Sequence, residues 1–218
     1  MAAGPVTKLT AAQTLWLTAF DERYAERVVS WVCDSREAYW LAPRTTPPLT
    51  AEKVRAWGQP GRNPFMLVEA EDLEPLAYGE VNELRRKQNE YWLGHLIVDP
   101  RQRGRRLGRR LTELLLDQAF NNYGARRVSL VVFPGNAAAI ATYRSAGMRA
   151  DGYETHCFGP DRRSERLLRF VATRSWRQKK RHGSGLTRAG VIVRGAGKTR
   201  EVPRRGKQTR VSCCSNRG

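Results

Sequence analysis

Two side chains in one short segment have the types and the spacing needed to act on a single elongated ligand. Asn136 follows Pro134 and Gly135, so we expect it to cap the free amides at the start of a helix. Tyr143 lies seven residues later on the same helical face, roughly 10 Å along an axis that rises about 1.5 Å per residue. An amide and a phenol placed in this way could therefore contact one molecule. The alternative is an alanine-rich core helix with an incidental tyrosine.

A second segment has the composition of a phosphate site. Residues 91–98 are aromatic and branched, as is typical of a buried strand, and Asp99 and Pro100 end it. Residues 101–110 hold six arginines and two glycines and lead into an amphipathic helix. A helix N-terminus already has partial positive charge, so arginines there are unfavourable unless an anion is bound. A phosphate on the backbone N–H groups would supply that anion; the alternative is a solvated basic turn.

The apolar patterns along the chain predict the elements that position these two segments. The predicted strands cover residues 14–20, 65–69, 76–82, 91–98, 127–133, 153–157 and 166–172. The predicted helices cover residues 22–32, 49–57 and 107–122, with one more after Asn136. This order of elements indicates an α/β fold in which helices cover both faces of a sheet.

Together the two segments resemble the GNAT superfamily of N-acetyltransferases. The cofactor motif of that family, Val-x-Pro-x-x-Arg-Gly-x-Gly-x-Gly, is matched by Val98, Pro100, Arg103, Gly104 and Gly108. Arg106 takes the place of the middle glycine, so we expect altered backbone angles or a wider approach to the pyrophosphate.

A later motif carries the second half of the resemblance. The pattern Asn-x-x-Ala-x-x-x-Tyr-x-x-x-Gly-Phe is matched by Asn136, Ala139, Tyr143 and Gly147, with Met148 in place of the aromatic residue. The two motifs lie about 40 residues apart in a strand–helix–strand–helix context, which is more specific than a single glycine-rich loop. The resemblance covers residues 10–172.

The resemblance implies a mixed sheet of about six to seven strands and acetyl-CoA as co-substrate, bound where the fourth strand separates from the fifth. It places the pantetheine arm on the backbone of Ile97 and Val98, with a hydrogen bond to Asn136. The pyrophosphate would lie on the loop and helix start formed by Arg103, Gly104, Arg105, Arg106, Leu107, Gly108 and Arg109. An acceptor amine would attack the thioester directly, and Tyr143 would protonate the departing thiolate.

The general base stays open at the level of sequence. Glu80, Glu83, Glu90 and His95 are candidates, and strand alternation does not place all of them toward the acceptor. A histidine in a sheet is more often structural than catalytic, so that interpretation is favoured for His95. A water relay without a single base is a further alternative.

The acceptor is also open. A peptide N-terminus, a polyamine, an aminoglycoside-like amine and a small metabolite all fit the motifs. In this superfamily the early part of the domain forms the acceptor wall, and here it contains Trp31, Tyr39, Trp40 and Trp57. We expect most of these aromatic side chains to belong to the core.

Charge divides the chain into two parts, a domain at residues 1–173 and a tail at residues 174–218. The tail has 14 lysines and arginines against one acidic residue, so it accounts for +13 of the net charge of +18. With one short apolar run it cannot bury a core, and we expect it to be disordered. Such a tail could contact the phosphates of RNA or DNA without sequence preference; the alternative is an extension without a function. A catalytically inactive domain that binds RNA or ribosomes through the tail is the alternative function.

Cysteine use and hydropathy indicate a reducing, soluble setting. Cys33 and Cys157 are isolated and lie outside both motifs, which disfavours an acetyl-cysteine route. Cys213 and Cys214 have no partner at metal-ligand spacing, so no metal site is expected. No stretch reaches about 18 apolar residues and no secretory signal is evident, so we expect a cytoplasmic protein.

Overall fold

The computed structural model describes residues 15–58, 61–69, 71, 73–84, 88–158 and 163–174, which form a seven-stranded sheet flanked by helices. The strands are β1 (Leu15–Ala19), β2 (Arg62–Glu69), β3 (Pro75–Glu83), β4 (Glu90–Val98), β5 (Arg127–Val132), β6 (Arg149–Phe158) and β7 (Arg163–Thr173). The helices are α1 (Ala25–Ser30), α2 (Ser35–Leu41), α3 (Ala51–Arg55), α4 (Leu107–Asp117) and α5 (Ala137–Ser145). Short 3-10 turns lie at Glu22–Tyr24 and Pro100–Gln102, and a π-helical turn at Gln118–Asn122 continues α4.

The sheet consists of two antiparallel groups joined along one short parallel contact. Its strand order is β1-β2-β3-β4-β5-β7-β6. The contact is between β4 and β5, which pair at residues 90–92 and 127–129. Beyond Trp92 these two strands carry no further pairing in the described chain, so the sheet opens into a cleft between the ends of β4 and β5.

Each face of the sheet carries its own hydrophobic core. On one face, α4 buries Leu111 and Leu115, both fully inaccessible to solvent. The helix lies close to β3 because Gly79 has no side chain: a Cβ atom there would lie 2.8 Å from Leu115 Cδ1. On the other face, α1 and α3 bury Val28 and Val54 in a second cluster. The sheet thus covers the apolar face of α4, as the amphipathic pattern of that helix predicts, and its other side covers α1 and α3.

The predicted fold class is confirmed, and several local predictions differ from the structure. Strands β2, β6 and β7 begin at Arg62, Arg149 and Arg163, three to four residues before their predicted starts. The continuous helix predicted over residues 22–32 is wrong, because a 3-10 turn at Glu22–Tyr24 precedes α1. Helix α2 is absent from the sequence predictions. Its signal is nevertheless present, since Asp34 accepts a hydrogen bond from the N–H of Glu37 at 2.7 Å, and Glu37 accepts one from the N–H of Cys33 at 2.8 Å.

Some expectations concern residues that the structure does not describe. The tail from residue 175 onward, which includes Cys213 and Cys214, lies outside the described ranges. Strand β7 ends at Thr173, and the domain boundary predicted there stays a prediction. Within the described ranges, no helix is long and apolar enough to cross a membrane.

Candidate active site

The loop between β4 and α4, here called the arginine loop (residues 99–106), has the backbone conformation of an anion site. Gly104 has φ of 83°. Arg106 is the N-cap of α4 and makes no side-chain hydrogen bond to the helix. The first N–H groups of a helix have no intrahelical acceptor, so those that follow Arg106 can bind a ligand. At Gly108 a Cβ atom would lie 3.3 Å from Thr142 Cγ2, so glycine allows this helix end to approach α5 closely.

Arg106 occupies a backbone conformation that suits glycine. Its φ of 60° and ψ of 18° lie in the left-handed region. A residue with a Cβ atom pays roughly 1–2 kcal/mol for that conformation. Although arginine replaces the middle glycine of the motif, the backbone at position 106 keeps the left-handed conformation, and this conformation is strained for arginine.

Most side chains of the arginine loop and of the first turn of α4 are held by acidic partners within the domain. The ion pairs are Arg101 with Asp99 (2.8 Å), Arg103 with Glu37 (2.7 Å), Arg105 with Glu69 (3.7 Å) and Arg109 with Glu113 (2.9 Å). The guanidinium of Arg103 also donates to the carbonyls of Val98 and Trp31, each at 3.3 Å. This side chain ties the loop to α2, so it positions the loop, and the backbone is left to contact a ligand.

The cleft between β4 and β5 has a volume of about 1650 Å³. Ile97 and Val98 line its β4 side, and their cross-strand partners are Tyr78 and Ala77 on β3. At Ile97 and Val98, the edge of β4 that faces β5 therefore has no strand partner. An extended ligand could hydrogen-bond to that edge as an added strand does.

Helix α5 presents the two residues singled out at the start. Asn136 caps the helix as predicted, with Oδ1 accepting from the N–H of Ala139 at 3.1 Å, so its NH₂ group stays available to a ligand. Tyr143 lines the cleft and packs against Phe170, with 5.9 Å between ring centroids. Burial raises the pKa of Tyr143 to about 12, so the phenol holds its proton at neutral pH. Gly147, at φ of 93°, ends the helix as predicted.

A buried carboxylate and a histidine meet on the acceptor side of β4. His95 has φ of 48° and lies in a β-bulge, where β4 shifts by one residue against β3. Its Nδ1 lies 2.7 Å from Oε1 of Glu80. The Glu80 carboxylate is fully buried and also accepts hydrogen bonds from the hydroxyl of Tyr78 at 2.8 Å and the amide of Asn82 at 2.7 Å.

The environment of Glu80 determines which nitrogen of His95 can take a proton. Burial opposes ionisation of this carboxyl, but hydrogen bonds from His95, Asn82 and Tyr78 outweigh burial and hold its pKa below the usual value. An ionised Glu80 accepts a hydrogen bond from the N–H at Nδ1, which leaves Nε2 of His95 directed to other partners. The ring lines the cleft and stacks on Trp57 with 3.9 Å between centroids. A carboxylate that orients a histidine in this way is a common arrangement for a base.

The other predicted base candidates lie elsewhere. Glu83 is exposed at the end of β3. Glu90 lines the cleft at the β4–β5 junction, where it is in register with Arg127. The sequence favours a purely structural histidine at position 95, whereas the structure places it on the cleft beside Glu80.

The early aromatic residues divide between core and cleft. Trp31 is buried away from the cleft, while Trp57 is buried and lines it. Tyr39 and Trp40 pack on the cluster around Phe133, and Trp40 also lines the cleft. Lining residues that sequence reasoning does not find include Arg44, Lys53, Arg62, Trp92, Glu154, His156 and Arg169. The last three lie on β6 and β7, and no local pattern in those strands signals that they reach the cleft.

A comparison with protein families gives a match over most of the domain. The sequence profile of the acetyltransferase (GNAT) family matches residues 25–148. Among curated proteins, the chain is similar to the spermine/spermidine N(1)-acetyltransferase of Bacillus subtilis (strain 168), with 29% identity over 66 residues. That match spans 30% of this chain and 43% of the length of the relative.

Solved structures show the same fold. An aminoglycoside acetyltransferase AAC(6')-Ib in complex with ribostamycin and coenzyme A superposes with a TM-score of 0.62 at 20% identity, covering 77% of this chain and 98% of that one. A spermidine N-acetyltransferase from Vibrio cholerae, in complex with CoA and spermine, gives a TM-score of 0.62 at 17% identity, covering 75% and 97%.

Proposed function

Since this chain belongs to the GNAT acetyltransferase family, we propose that it transfers the acetyl group of acetyl-CoA to a primary amine by direct attack of that amine. The observation that carries the proposal is the split between β4 and β5. It brings the start of α4, the face of α5 with Asn136 and Tyr143, and His95 to one cleft. The similar proteins named above are described with spermine, spermidine or an aminoglycoside, which supports an amine as the acceptor.

The residues along the cleft fit acetyl-CoA, which is the co-substrate of this family. When bound, acetyl-CoA supplies an activated thioester and a thiol leaving group. Backbone amides of residues 104–109 would hold the pyrophosphate at the N-terminus of α4. The open edge of β4 at Ile97 and Val98, together with the NH₂ group of Asn136, would hold the pantetheine arm.

His95 is the proposed general base, and Glu80 is the residue that positions it. Only a neutral amine attacks, yet amines are mostly protonated at neutral pH, with pKa values of about 8 for an α-amine and about 10.4 for a lysine-type amine. Nε2 of His95 would accept the proton. Glu80 fixes the other nitrogen and compensates the charge that develops on the ring. Stacking on Trp57 restricts rotation of the imidazole.

Tyr143 is the proposed general acid. Its phenol carries a proton at neutral pH, since burial raises the pKa to about 12. It lies on the same helical face as Asn136, so it is expected to lie near the reactive end of a pantetheine arm held by that residue. The O–H group would hydrogen-bond the sulfur and protonate it as the carbon–sulfur bond breaks.

A binding measurement and a turnover measurement together test the proposal. At 100 times its Kd, acetyl-CoA should stabilise the protein by about 2.7 kcal/mol and raise Tm measurably. Turnover is measured as release of CoA thiol that depends on an added primary amine. If millimolar acetyl-CoA leaves Tm unchanged, the enzyme proposal is overturned. If Tm rises but no panel of primary amines releases thiol, the transfer step is overturned while cofactor binding stands.

The role of His95 has its own test. His95→Gln should lower turnover by about 10²- to 10⁴-fold and leave the Tm shift caused by acetyl-CoA in place. His156→Gln is a matched control, because His156 also lines the cleft and lies 3.0 Å from a carboxylate, that of Glu154. Equal loss in both variants would assign the effect to the cleft in general and remove His95 as the base.

The basic tail supports a separate proposal about partners. Residues 174–218 would contact RNA or DNA through phosphates, with an affinity that falls steeply with salt. A chain that ends at Thr173 should lose this association and keep acetyl-CoA binding. The inactive alternative has no support among the described residues, because the N-terminus of α4, Asn136 and Tyr143 are all in place.

A further inference from the structure

We propose that the acceptor amine carries a carboxylate close to its amino group, as a peptide with acidic residues behind its N-terminus does. This inference rests on the proposed function and names its substrate class. It comes from a group of residues that line the cleft and are here called the basic wall: Arg44, Lys53, Trp57, Arg62 and His95. The three cations of this wall lack a carboxylate at hydrogen-bond distance within the described residues.

Arg62 lies beside the proposed base. Its guanidinium is 3.8 Å from Oε2 of Glu80, which is longer than a hydrogen bond. That carboxylate already accepts from three other groups, so it does not use the N–H donors of the arginine. The side chain is 37% exposed. Its N–H groups are therefore available to an anion near His95.

Lys53 and Arg44 extend the positive charge along the same wall. The ammonium of Lys53 donates to the carbonyls of Thr46 and Pro48, at 2.6 and 2.7 Å, so its charge is not neutralised by these contacts. The next residue after Arg44 is Thr45, whose hydroxyl accepts from Trp57 Nε1 at 3.3 Å. Trp57 is the ring that stacks on His95, and the guanidinium of Arg44 lies 5.8 Å from the ring centroid of Phe158, which also lines the cleft.

The acidic residues that line the cleft are engaged by neighbours. Glu37 pairs with Arg103 at 2.7 Å, and Glu154 pairs with Arg169 at 2.6 Å. Glu90 also has an interaction within the domain. None of these carboxylates is therefore a free site for the extra ammonium groups of a polyamine.

The charge of the wall favours some amines over others. The backbone amides at the N-terminus of α4 would face cofactor phosphates, whereas Arg44, Lys53 and Arg62 would face the acceptor. A polycation would meet repulsion there, and an amine that carries a carboxylate would meet attraction. Positive charge next to the amine also favours its neutral, nucleophilic form.

The test measures acceptor binding separately from turnover. Three peptides of equal length with amidated C-termini, Ala-Asp-Asp, Ala-Asn-Asn and Ala-Lys-Lys, and also spermine, are titrated calorimetrically into the full chain saturated with CoA at low salt. We expect the Asp peptide to bind about tenfold more tightly than the Asn peptide, with the Lys peptide and spermine weakest. Raising the ionic strength to 0.5 M should reduce the difference in affinity between the Asp peptide and the other three ligands.

Charge variants connect the ranking to the wall. Arg62→Glu should reverse the order in which the Asp and Lys peptides bind. Arg62→Gln, which removes the charge without reversing it, should reduce the preference for the Asp peptide and replaces Arg62→Glu if the reversed charge impairs folding. Arg23→Glu is the matched control, since Arg23 is 70% exposed and lies outside the cleft. The proposal is overturned if spermine or the Lys peptide binds as tightly as the Asp peptide, if no Asp peptide binding is detected, or if Arg62 variants leave the ranking unchanged. Failure of thiol release with a preserved ranking would instead count against the proposed transfer alone.

Discussion

The cofactor side and the acceptor side of the cleft are built in different ways. On the cofactor side, the groups offered to a ligand are mostly backbone: the amides after Arg106 and the open edge of β4 at Ile97 and Val98. On the acceptor side they are side chains such as Arg62 and His95, which come from two different strands. A backbone site needs one local conformation, whereas a side-chain site needs distant segments to meet.

Because the two sides are built differently, substitutions on the cofactor side and on the acceptor side should have different effects. Replacement of a side chain leaves backbone N–H groups in place, so a cofactor held by amides tolerates many sequence changes. An acceptor held by side chains changes with each substitution. Substitutions on the acceptor side should therefore alter rate and choice of amine, and substitutions on the cofactor side should alter acetyl-CoA affinity or stability.

Substitution of Tyr143 has the largest expected effect on turnover, because its phenol would act where the cofactor and the acceptor meet. Tyr143→Phe keeps the packing on Phe170 and removes the proton donor, so turnover should fall by about 10²- to 10⁴-fold with little change in the Kd for acetyl-CoA. Steady-state kinetics and the Tm shift measure the two quantities. Tyr153→Phe, on an exposed tyrosine, serves as control. Equal turnover in wild type and Tyr143→Phe would reassign the residue to packing.

Glu80→Gln sharpens the comparison on the acceptor side. The variant keeps the shape of the side chain but removes the charge that orients His95, so turnover at pH 7 should fall by about 10²-fold. Acetyl-CoA affinity should stay unchanged. Glu83→Gln, on the exposed end of the same strand, should have little effect on turnover. A similar loss in both variants would contradict a positioning role for Glu80.

The same variant makes a prediction about pH and stability. The folded-state pKa of Glu80 lies below its unfolded value of about 4.3, so ionised Glu80 stabilises the fold above that pH. This contribution is lost as the pH falls through the folded-state pKa. Denaturant midpoints measured at pH 7 and pH 3 should therefore differ less for Glu80→Gln than for wild type. A larger difference in the variant would show that the sign is wrong.

Asn136 allows the two functions of one cofactor-side residue to be separated. Asn136→Asp keeps an oxygen that can cap α5 but removes the NH₂ donor, whereas Asn136→Ala removes both. Both variants should raise the Kd for acetyl-CoA by about tenfold, as expected for one lost hydrogen bond. Only the alanine variant should also lower the Tm of the free protein. Unchanged affinity in the aspartate variant would remove the amide from the cofactor site.

The smallest expected effect concerns strain at Arg106. Arg106→Gly relieves a left-handed arginine, and after the added flexibility of the unfolded chain the net gain is up to about 1 kcal/mol. Tm should rise by up to about 4 °C. Gly104→Ala, at φ of 83°, should move Tm in the opposite direction. A lower Tm in Arg106→Gly would mean that the arginine side chain itself stabilises the loop.

Sequence patterns predict most of the fold because its signals are local. The helix over residues 107–122 follows from apolar spacing, and α4 with its π-helical continuation covers this range. The start of α5 follows from a single capping residue, Asn136. The break before α1 is harder to predict, because the Asp21 side chain caps the 3-10 turn as an N-cap residue would cap an α-helix.

Prediction of the site stops where the side chains of different strands must meet. Strand alternation places Gly94 on the face of Glu80 and would place His95 on the opposite one. The β-bulge returns His95 to the Glu80 face, and a histidine with positive φ is not a conformation that composition signals. The ion pair between Arg103 and Glu37 likewise depends on α2, which packs there only in the folded domain.

The short junction between β4 and β5 also bears on how the domain unfolds in parts. Three residue pairs join the group β1–β4 to the group β5–β7. Each group has its own continuous antiparallel ladder, and the two units share the core under α4, which includes Val81 of β3 and Phe170 of β7. Local opening of either unit must therefore also open part of this shared core. A ligand that hydrogen-bonds along β4 while it contacts α5 would couple the two units. Amide hydrogen exchange would then slow in both groups together, including in amides far from any contact with that ligand.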